Sequence, residues 1–314
     1  MHAATCDAAV AQWIEYWPPK PRVVGSIPAS RTTVPVFLSP LTVKERMLPG
    51  LVKAQSAADE LVRQHAVRES FCALQDNFAP VDTLDAYQIQ DRYVARLQQL
   101  RQTTLAGYKV AITTPAMRDM VGFQDSVSGC LLRDQMLSSE ATVVAHSRVR
   151  LIVEFEIAFQ MARDLPIVNK PWTGLSILDY VTCAYPALEI ADDRCADYAS
   201  LSDSVLTLIA DNAWNQGLVL GPAVTRLDAA ALLEVEGIAF IDDREVGRGS
   251  GRDVLGHPLD ALAWLANHLA TRGRALKAGE IATTGSLVKS QFPVAGNHVA
   301  FRLPGFGEVQ LHIA

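Results

Sequence analysis

Two carboxylates one residue apart, Glu154 and Glu156, stand in the apolar run VEFEIAFQ, residues 153 to 160. On a strand, residues i and i+2 share a face. The pair therefore projects together, with Ile152 and Ala158 on the same side. Val153, Phe155, Ile157 and Phe159 take the other side, as expected over a packed core. On a helix of about 3.6 residues per turn the two carboxylates would point to nearly opposite sides. A third, Glu189 in YPALEIADDR, also lies among apolar neighbours. A buried carboxylate is costly unless something pairs with it, and three in one cleft repel and raise each other's pKa. A hard divalent cation with oxygen ligands, Mg²⁺ or Mn²⁺, removes that conflict. Spacing alone favours a plainer arrangement, a solvated strand face with Glu189 unrelated to it, because acidic pairs at i, i+2 are common.

Other segments offer polar groups. Lys109 lies in GYKVAIT, an alternating segment where a lysine is ordinarily a solvated edge residue. TTGSL, residues 283–287, reads as a strand running into a loop. Its small residues suit either an ordinary turn or a cradle in which backbone N–H groups and the hydroxyls of Thr284 and Ser286 meet a substrate carboxylate. GRGSGRD, residues 247–253, is not read as a phosphate loop: it follows a hairpin, opens no βαβ unit and lacks the following lysine. It reads as a glycine-rich connection. His257 suits a helix cap, and Trp214, in ADNAW, suits the core. No Ser/His/Asp or Cys/His arrangement stands out among the seven histidines.

The elements that must position these groups fall into two regions. AADELVRQHAVRESFCAL predicts a helix over about 54–74. A break follows at Asn77–Pro80, and a second helix starts at Asp82 or Thr83 with Leu84, Tyr87, Val94 and Leu97 near one face. From Gly107 the pattern turns to strands: GYKVAIT, VRLIVEFEIAF, CAYPALEIA, a hairpin in GIAFIDDREV turning at Asp242 and Asp243, then GEIATTGSL and VAFRLPGFGEVQLHIA. HPLDALAWLANHLATRG predicts a helix with Pro258 in its first turn and Gly273 as its stop. Strands do not alternate regularly with helices, so the fold class is α+β rather than doubly wound. The expected organisation is a helical N-terminal region over 47–105 and a β-rich catalytic domain over 106–314. Residues 10–29, with four prolines, predict a disordered tail. They also resemble the peptide produced when a transfer-RNA gene is translated, which would make 1–46 a mis-assigned start, put the true beginning at Met47 and leave Trp13, Tyr16 and Trp17 without function.

The chain of 314 residues is 49% apolar and 20% charged with net charge −6. No positive field draws nucleic acid or an anionic membrane. Five cysteines without C-x-x-C spacing argue against a disulfide framework or zinc knuckle. With no secretory signal and no apolar run long enough to span a bilayer, the expected location is the cytoplasm.

RLIVEFEIAF, RDLP, YPALEIADDR, ADNA, GRGSGRDVLGHPL and TTGSL, in this order, resemble the fumarylacetoacetate hydrolase superfamily. Within it the similarity is to the branch of 2-oxopent-4-enoate (2-hydroxypentadienoate) hydratases and 4-oxalocrotonate decarboxylases, and it runs from about residue 50 to the C-terminus. The resemblance implies a mixed, strongly curved β-sheet roll behind a helical preface. It implies one Mg²⁺ or Mn²⁺ held by Glu154, Glu156 and Glu189, and a functional lysine at Lys109 whose pKa a neighbouring cation would lower. Substrate-binding positions map to Thr284, Gly285, Ser286 and Asn212. The sequence departs from the branch in FQDSVSGCLL: Val127 and Ser128 stand where an acidic residue is usual, leaving Asp125 or Asp134 to compensate. The implied activity is a lyase acting on a small 2-oxo acid, a hydratase of 2-hydroxy-2,4-dienoates in aromatic-compound degradation. The alternatives are a 4-oxalocrotonate decarboxylase, an acylpyruvate-type C–C hydrolase, weakened by the lack of a His–Glu pair, and a non-catalytic partner subunit. A homo-oligomer, or a complex with a related decarboxylase or hydratase, is implied as well.

Overall fold

Helix α1, Val43–Ala66, is the first element among the residues that the computed structural model describes, 43–314 other than 169, with side chains from residue 50. The expectations for residues 1–46 lie outside the described residues, apart from the first turn of α1. Contacts group Val52–Ala314 as one compact unit. Helix α1 stops short of the expected Leu74. Arg68 takes a left-handed φ of 53°, and the chain then runs extended, with Phe71 N–H donating to Arg194 O at 2.8 Å and Leu74 N–H to Thr207 Oγ1 at 3.0 Å. These tertiary bonds override the helix propensity of the segment.

Helix α2, Thr83–Arg101, begins where expected: Asp82 caps it by accepting from Asp85 N at 2.8 Å. Its buried face carries Tyr87, Ile89, Gln90, Tyr93 and Val94. Leu84, expected on that face, is 65% exposed. It precedes Tyr93 by nine residues, which at about 100° per residue puts it on the opposite side.

Among the described residues, twelve strands form two mixed sheets. The first joins β1 (Leu105–Ala111), β2 (Val127–Leu132), β3 (Met136–Ser138), β5 (Leu151–Met161), β6 (Val181–Asp192), β7 (Asn215–Leu220) and β10 (Ile281–Gln291) in the order β2-β1-β10-β5-β6-β7-β3. The second joins β4 (Ala141–Val143), β8 (Glu236–Ile241), β9 (Arg244–Ser250), β11 (His298–Leu303) and β12 (Gly307–Ile313) in the order β4-β12-β11-β8-β9. Of these strands, β1/β10, β3/β7 and β4/β12 pair in parallel. The first sheet curls strongly into a half-barrel, so the class is α+β. The remaining helices are short, α3 (Pro115–Val121), α4 (Gly174–Leu178), α5 (Val205–Ala210) and α6 (Ala229–Glu234), except α7 (Pro258–Thr271). His257 caps α7, its Nδ1 accepting from Leu259 N at 2.9 Å, and Gly273 follows with φ +67°.

Val153, Phe155, Ile157 and Phe159 of β5 join the main core with Phe301, Val309 and Leu311 of the second sheet and Leu262 and Leu265 of α7. The expected alternation of β5 is therefore observed, and the opposite face is left for its two carboxylates. Two expectations change. Residues 283–287 lie wholly inside β10 rather than at a strand–loop junction. In GRGSGRD, Gly247–Ser250 belong to β9, because the glycines allow β9 to lie against neighbouring backbone: a Cβ on Gly249 would stand 1.7 Å from Leu287 O. No helix among the described residues is long and apolar enough to cross a membrane.

Candidate metal centre

Antiparallel pairing of β5 with β6 sets Glu154 directly opposite Glu189, with Glu156 one residue pair further along the same face. One oxygen from each of the three carboxylates lies within 4.8 Å of the others. Glu156 and Glu189 are fully buried and Glu154 is partly so, which excludes the solvated strand face.

Each carboxylate has one oxygen tied down by the protein. Glu156 Oε2 accepts from Gly285 N at 2.7 Å. Glu189 Oε1 accepts from Asn215 Nδ2 at 3.0 Å and lies 3.0 Å from Lys109 Nζ. Glu154 Oε1 accepts from Ser290 Oγ at 2.8 Å. Glu156 Oε1 and Glu189 Oε2 are buried without a hydrogen-bond partner among the described residues. A buried acceptor left bare costs about 1–3 kcal/mol, more when charged. Two such oxygens converging beside a third carboxylate form an all-oxygen donor set that fits a hard dication and suits no organic cofactor.

The electrostatics follow from this crowding. Burial, then the charges of Glu189 and Glu154, push the Glu156 carboxyl well above its ordinary range. Burial also raises Glu189, although the Lys109 ammonium pulls it back. Lys109 is only 2% exposed, so it is no solvated edge residue. Burial works against its charge, but Glu189, Glu154 and Glu156 together outweigh burial and hold its pKa above the usual lysine value. Without a cation beside it, Lys109 is held in its charged form by the three carboxylates.

Strand β10 supplies the wall beside Glu156. Gly285 takes φ +98°, and a Cβ there would lie 2.4 Å from Thr113 Oγ1. The register of β10 against β5 shifts between Thr283 and Ser286, and this irregularity turns the Gly285 N–H toward Glu156. Glycine is the residue that adopts such a backbone freely. The hydroxyls expected to meet a ligand are otherwise engaged. Thr284 Oγ1 donates to Ile157 O at 3.0 Å, while Ser286 Oγ accepts from Phe155 N at 2.8 Å and donates to Val288 O. Thr283, whose partner Ala158 shares the face of Glu156, is buried, and its hydroxyl stands close enough to the Glu156 carboxyl to offset a little of its rise. The Asn212 amide closes a two-bond ring with the Cys130 backbone, at 2.6 and 2.9 Å, and so fastens β2.

Neither acid offered as a substitute reaches the centre. Asp125 accepts from Trp264 Nε1 at 2.9 Å, Asp134 stands 3.9 Å from Arg101, and both are exposed. Val127 pairs with Ala111, two residues along β1 from Lys109. With Ile152 and Ala191, which flank Glu154 and Glu189 on their strands, it belongs to an apolar cluster that includes Trp214. Trp214 is a core residue, edge-on to Phe71 and Tyr198. Asn215, Ser290 and Thr283 escaped sequence reasoning. Thr283 carried a usable signal in the parity of β10, whereas nothing in spacing marks Asn215 or Ser290.

The sequence model of the fumarylacetoacetate (FAA) hydrolase C-terminal family matches residues 124–314. The chain is 29% identical over 259 residues to 2-keto-4-pentenoate hydratase 1 of Dechloromonas aromatica, covering 82% of this chain and 96% of that one. It is 31% identical over 243 residues to 2-hydroxyhexa-2,4-dienoate hydratase of Comamonas testosteroni, covering 74% and 87%. Among solved structures, 4-oxalocrotonate decarboxylase from Pseudomonas putida G7, complexed with magnesium and adipate, superposes with a TM-score of 0.75 at 22% identity, over 88% of this chain and 100% of that one.

Proposed function

The chain belongs to the fumarylacetoacetate hydrolase family, and from that premise we propose that it is a divalent-metal-dependent hydratase. It converts a 2-hydroxy-2,4-dienoate, through its 2-oxo-4-enoate form, into a 4-hydroxy-2-oxo acid in aromatic-compound degradation. The observation that carries this reading is the convergence of Glu154, Glu156 and Glu189 with two buried oxygens left bare. A bound Mg²⁺ or Mn²⁺ supplies positive charge that stabilises an enolate of the substrate.

The chain's own groups do the rest. The three glutamates would hold the ion, and the hydrogen bonds from Gly285, Asn215 and Ser290 fix their orientation. Lys109, paired with Glu189 at 3.0 Å, holds a proton at the edge of the centre and is the residue placed to move it. With a dication held by the same glutamates, Lys109 would feel less of their negative charge and give up its proton more readily. Ile152, Val127 and Ala191, flanking the carboxylates and Lys109 on their strands, are packed in an apolar cluster that keeps the surroundings of the centre of low polarity. The intact triad and buried lysine favour an active subunit over a non-catalytic partner. The hydratase is preferred over the decarboxylase because relatives near 30% identity along most of their length are hydratases, while the decarboxylase likeness is one of fold.

The test is spectrophotometric. With Mg²⁺ or Mn²⁺, the dienol absorbance of 2-hydroxypenta-2,4-dienoate should decay with the chain as catalyst, and chelator should stop it. No CO₂ should evolve from 2-oxohex-3-enedioate. CO₂ release would replace hydratase by decarboxylase, and metal binding without turnover of either compound would favour the partner subunit.

A further inference from the structure

A cavity of about 300 Å³ lies apart from the carboxylate centre, between the C-terminal ends of α1 and α2 and the chain that enters β5 and leaves β6. Its lining contains four arginines, Arg68, Arg101, Arg148 and Arg194, and a single carboxylate, Asp192. Asp192 is occupied by backbone: it accepts from Val149 N, Arg150 N and Arg194 N at 2.9–3.0 Å.

Two of the arginines are incompletely satisfied. Arg194 has no exposed surface. Its Nη atoms reach Gln64, Glu69 O and Asp211, but its Nε is buried without a partner. Asp211 is shared with His65, at 2.6 Å. Arg148 donates only to Val144 O and Ser147 Oγ, makes no ion pair among the described residues, and also has a buried, unpartnered Nε. Burial works against its charge, and the Arg101 guanidinium nearby adds to that effect while Asp192 offsets part of it. Among the described residues, Arg101 itself pairs only with the distant Asp134, at 3.9 Å. Like charges gathered with bare donors in a recess cost stability unless an anion joins them.

We propose that this cavity is a binding site for a small doubly charged oxyanion of the phosphate class. Guanidinium groups present paired donors that match phosphate oxygens, and the charge excess of the lining calls for more than one negative charge. The volume admits inorganic phosphate or a small phosphate monoester. Asp192 and Arg194 end or directly follow β6, which carries Glu189, so the anion braces the strand pair behind the metal centre without entering it.

The full chain, treated with chelator so that phosphate cannot bind through metal, is titrated with inorganic phosphate by calorimetry and by thermal melting. One site per chain and a rising melting temperature are expected, with no rise in sodium acetate of equal ionic strength. Arg148→Ala and, independently, Arg101→Ala should each weaken binding at least tenfold, and neither should lower the melting temperature of phosphate-free protein by more than a few degrees. Arg101 is partly exposed, so its variant keeps the test valid if Arg148→Ala folds poorly. A phosphate monoester arm and a succinate arm distinguish the sources: succinate binding as tightly as phosphate would overturn the phosphate class. Absence of binding, or equal binding by wild type and both variants, would overturn the site.

Discussion

Glu156→Gln should abolish hydratase turnover and yet raise the melting temperature of the chelator-treated protein. Loss of a ligand carboxylate removes charge from the donor set. Metal affinity should fall by more than about a hundredfold, beyond what loss of an outer-shell partner costs, and turnover by on the order of 10³-fold. In metal-free protein the same change relieves a cost. The amide oxygen still accepts from Gly285 N–H, while its NH₂ group offers donors to carboxylates that now only repel it. Recovering about 1–2 kcal/mol should lift the melting temperature by several degrees, at about 2–4 °C per kcal/mol for a chain of this class.

The pH dependence has a definite sign. The folded pKa of Glu156 is raised above its ordinary 4.5, so between the two values the native state holds a proton that the unfolded chain has released. Stability from this group is fully present below about pH 4.5 and is lost as pH rises through the folded value. Metal-free wild type should therefore lose ground to Glu156→Gln when moved from pH 5 to pH 7: the variant's advantage grows. Melting curves with chelator across that range check this. A variant less stable than wild type at pH 7 would contradict the account.

Lys109→Met should lower kcat by about 10³-fold, within the range for removal of a positioned proton-transfer group, while one divalent ion per chain is still bound. Without metal, the substitution leaves Glu189 with Asn215 as its remaining partner in a buried site, and breaking a buried pair from one side costs about 3–5 kcal/mol. With metal bound, the dication compensates that charge, so the destabilisation should shrink. Kinetics and melts with and without metal separate the two effects. A kcat within tenfold of wild type would remove Lys109 from the proton path and leave it a counterion.

The parity of VEFEIAFQ is visible in the residues themselves, because alternation over a core is local. Thus the shared face of Glu154 and Glu156 was legible before any pairing was known. The position of Glu189 was not: it depends on the register of β5 against β6, a contact spanning a long connection. The burial of Lys109 depends on β1 lying between β2 and β10, so an isolated strand pattern resembles a solvated edge. Asn212 and Thr284 hold hydrogen bonds that the sequence did not announce, for a related reason. Small polar residues near a ligand-like motif have the right chemistry, but the sheet takes their hydrogen bonds first. The end of α1 was missed because helix formers from Arg68 to Leu74 yield to bonds with Arg194 and Thr207, which no local propensity encodes. The turn at Asp242 and Asp243, both with positive φ, and the ends of α7 were legible because turn and cap chemistry is local.

Anomalous diffraction from crystals of the full chain equilibrated with Mn²⁺ tests the central claim most directly. The account predicts one strong peak per chain, about 2.0–2.2 Å from an oxygen of each of Glu154, Glu156 and Glu189, and its disappearance in Glu156→Gln. A peak elsewhere, or none while the wild-type chain turns over dienoate, would contradict it.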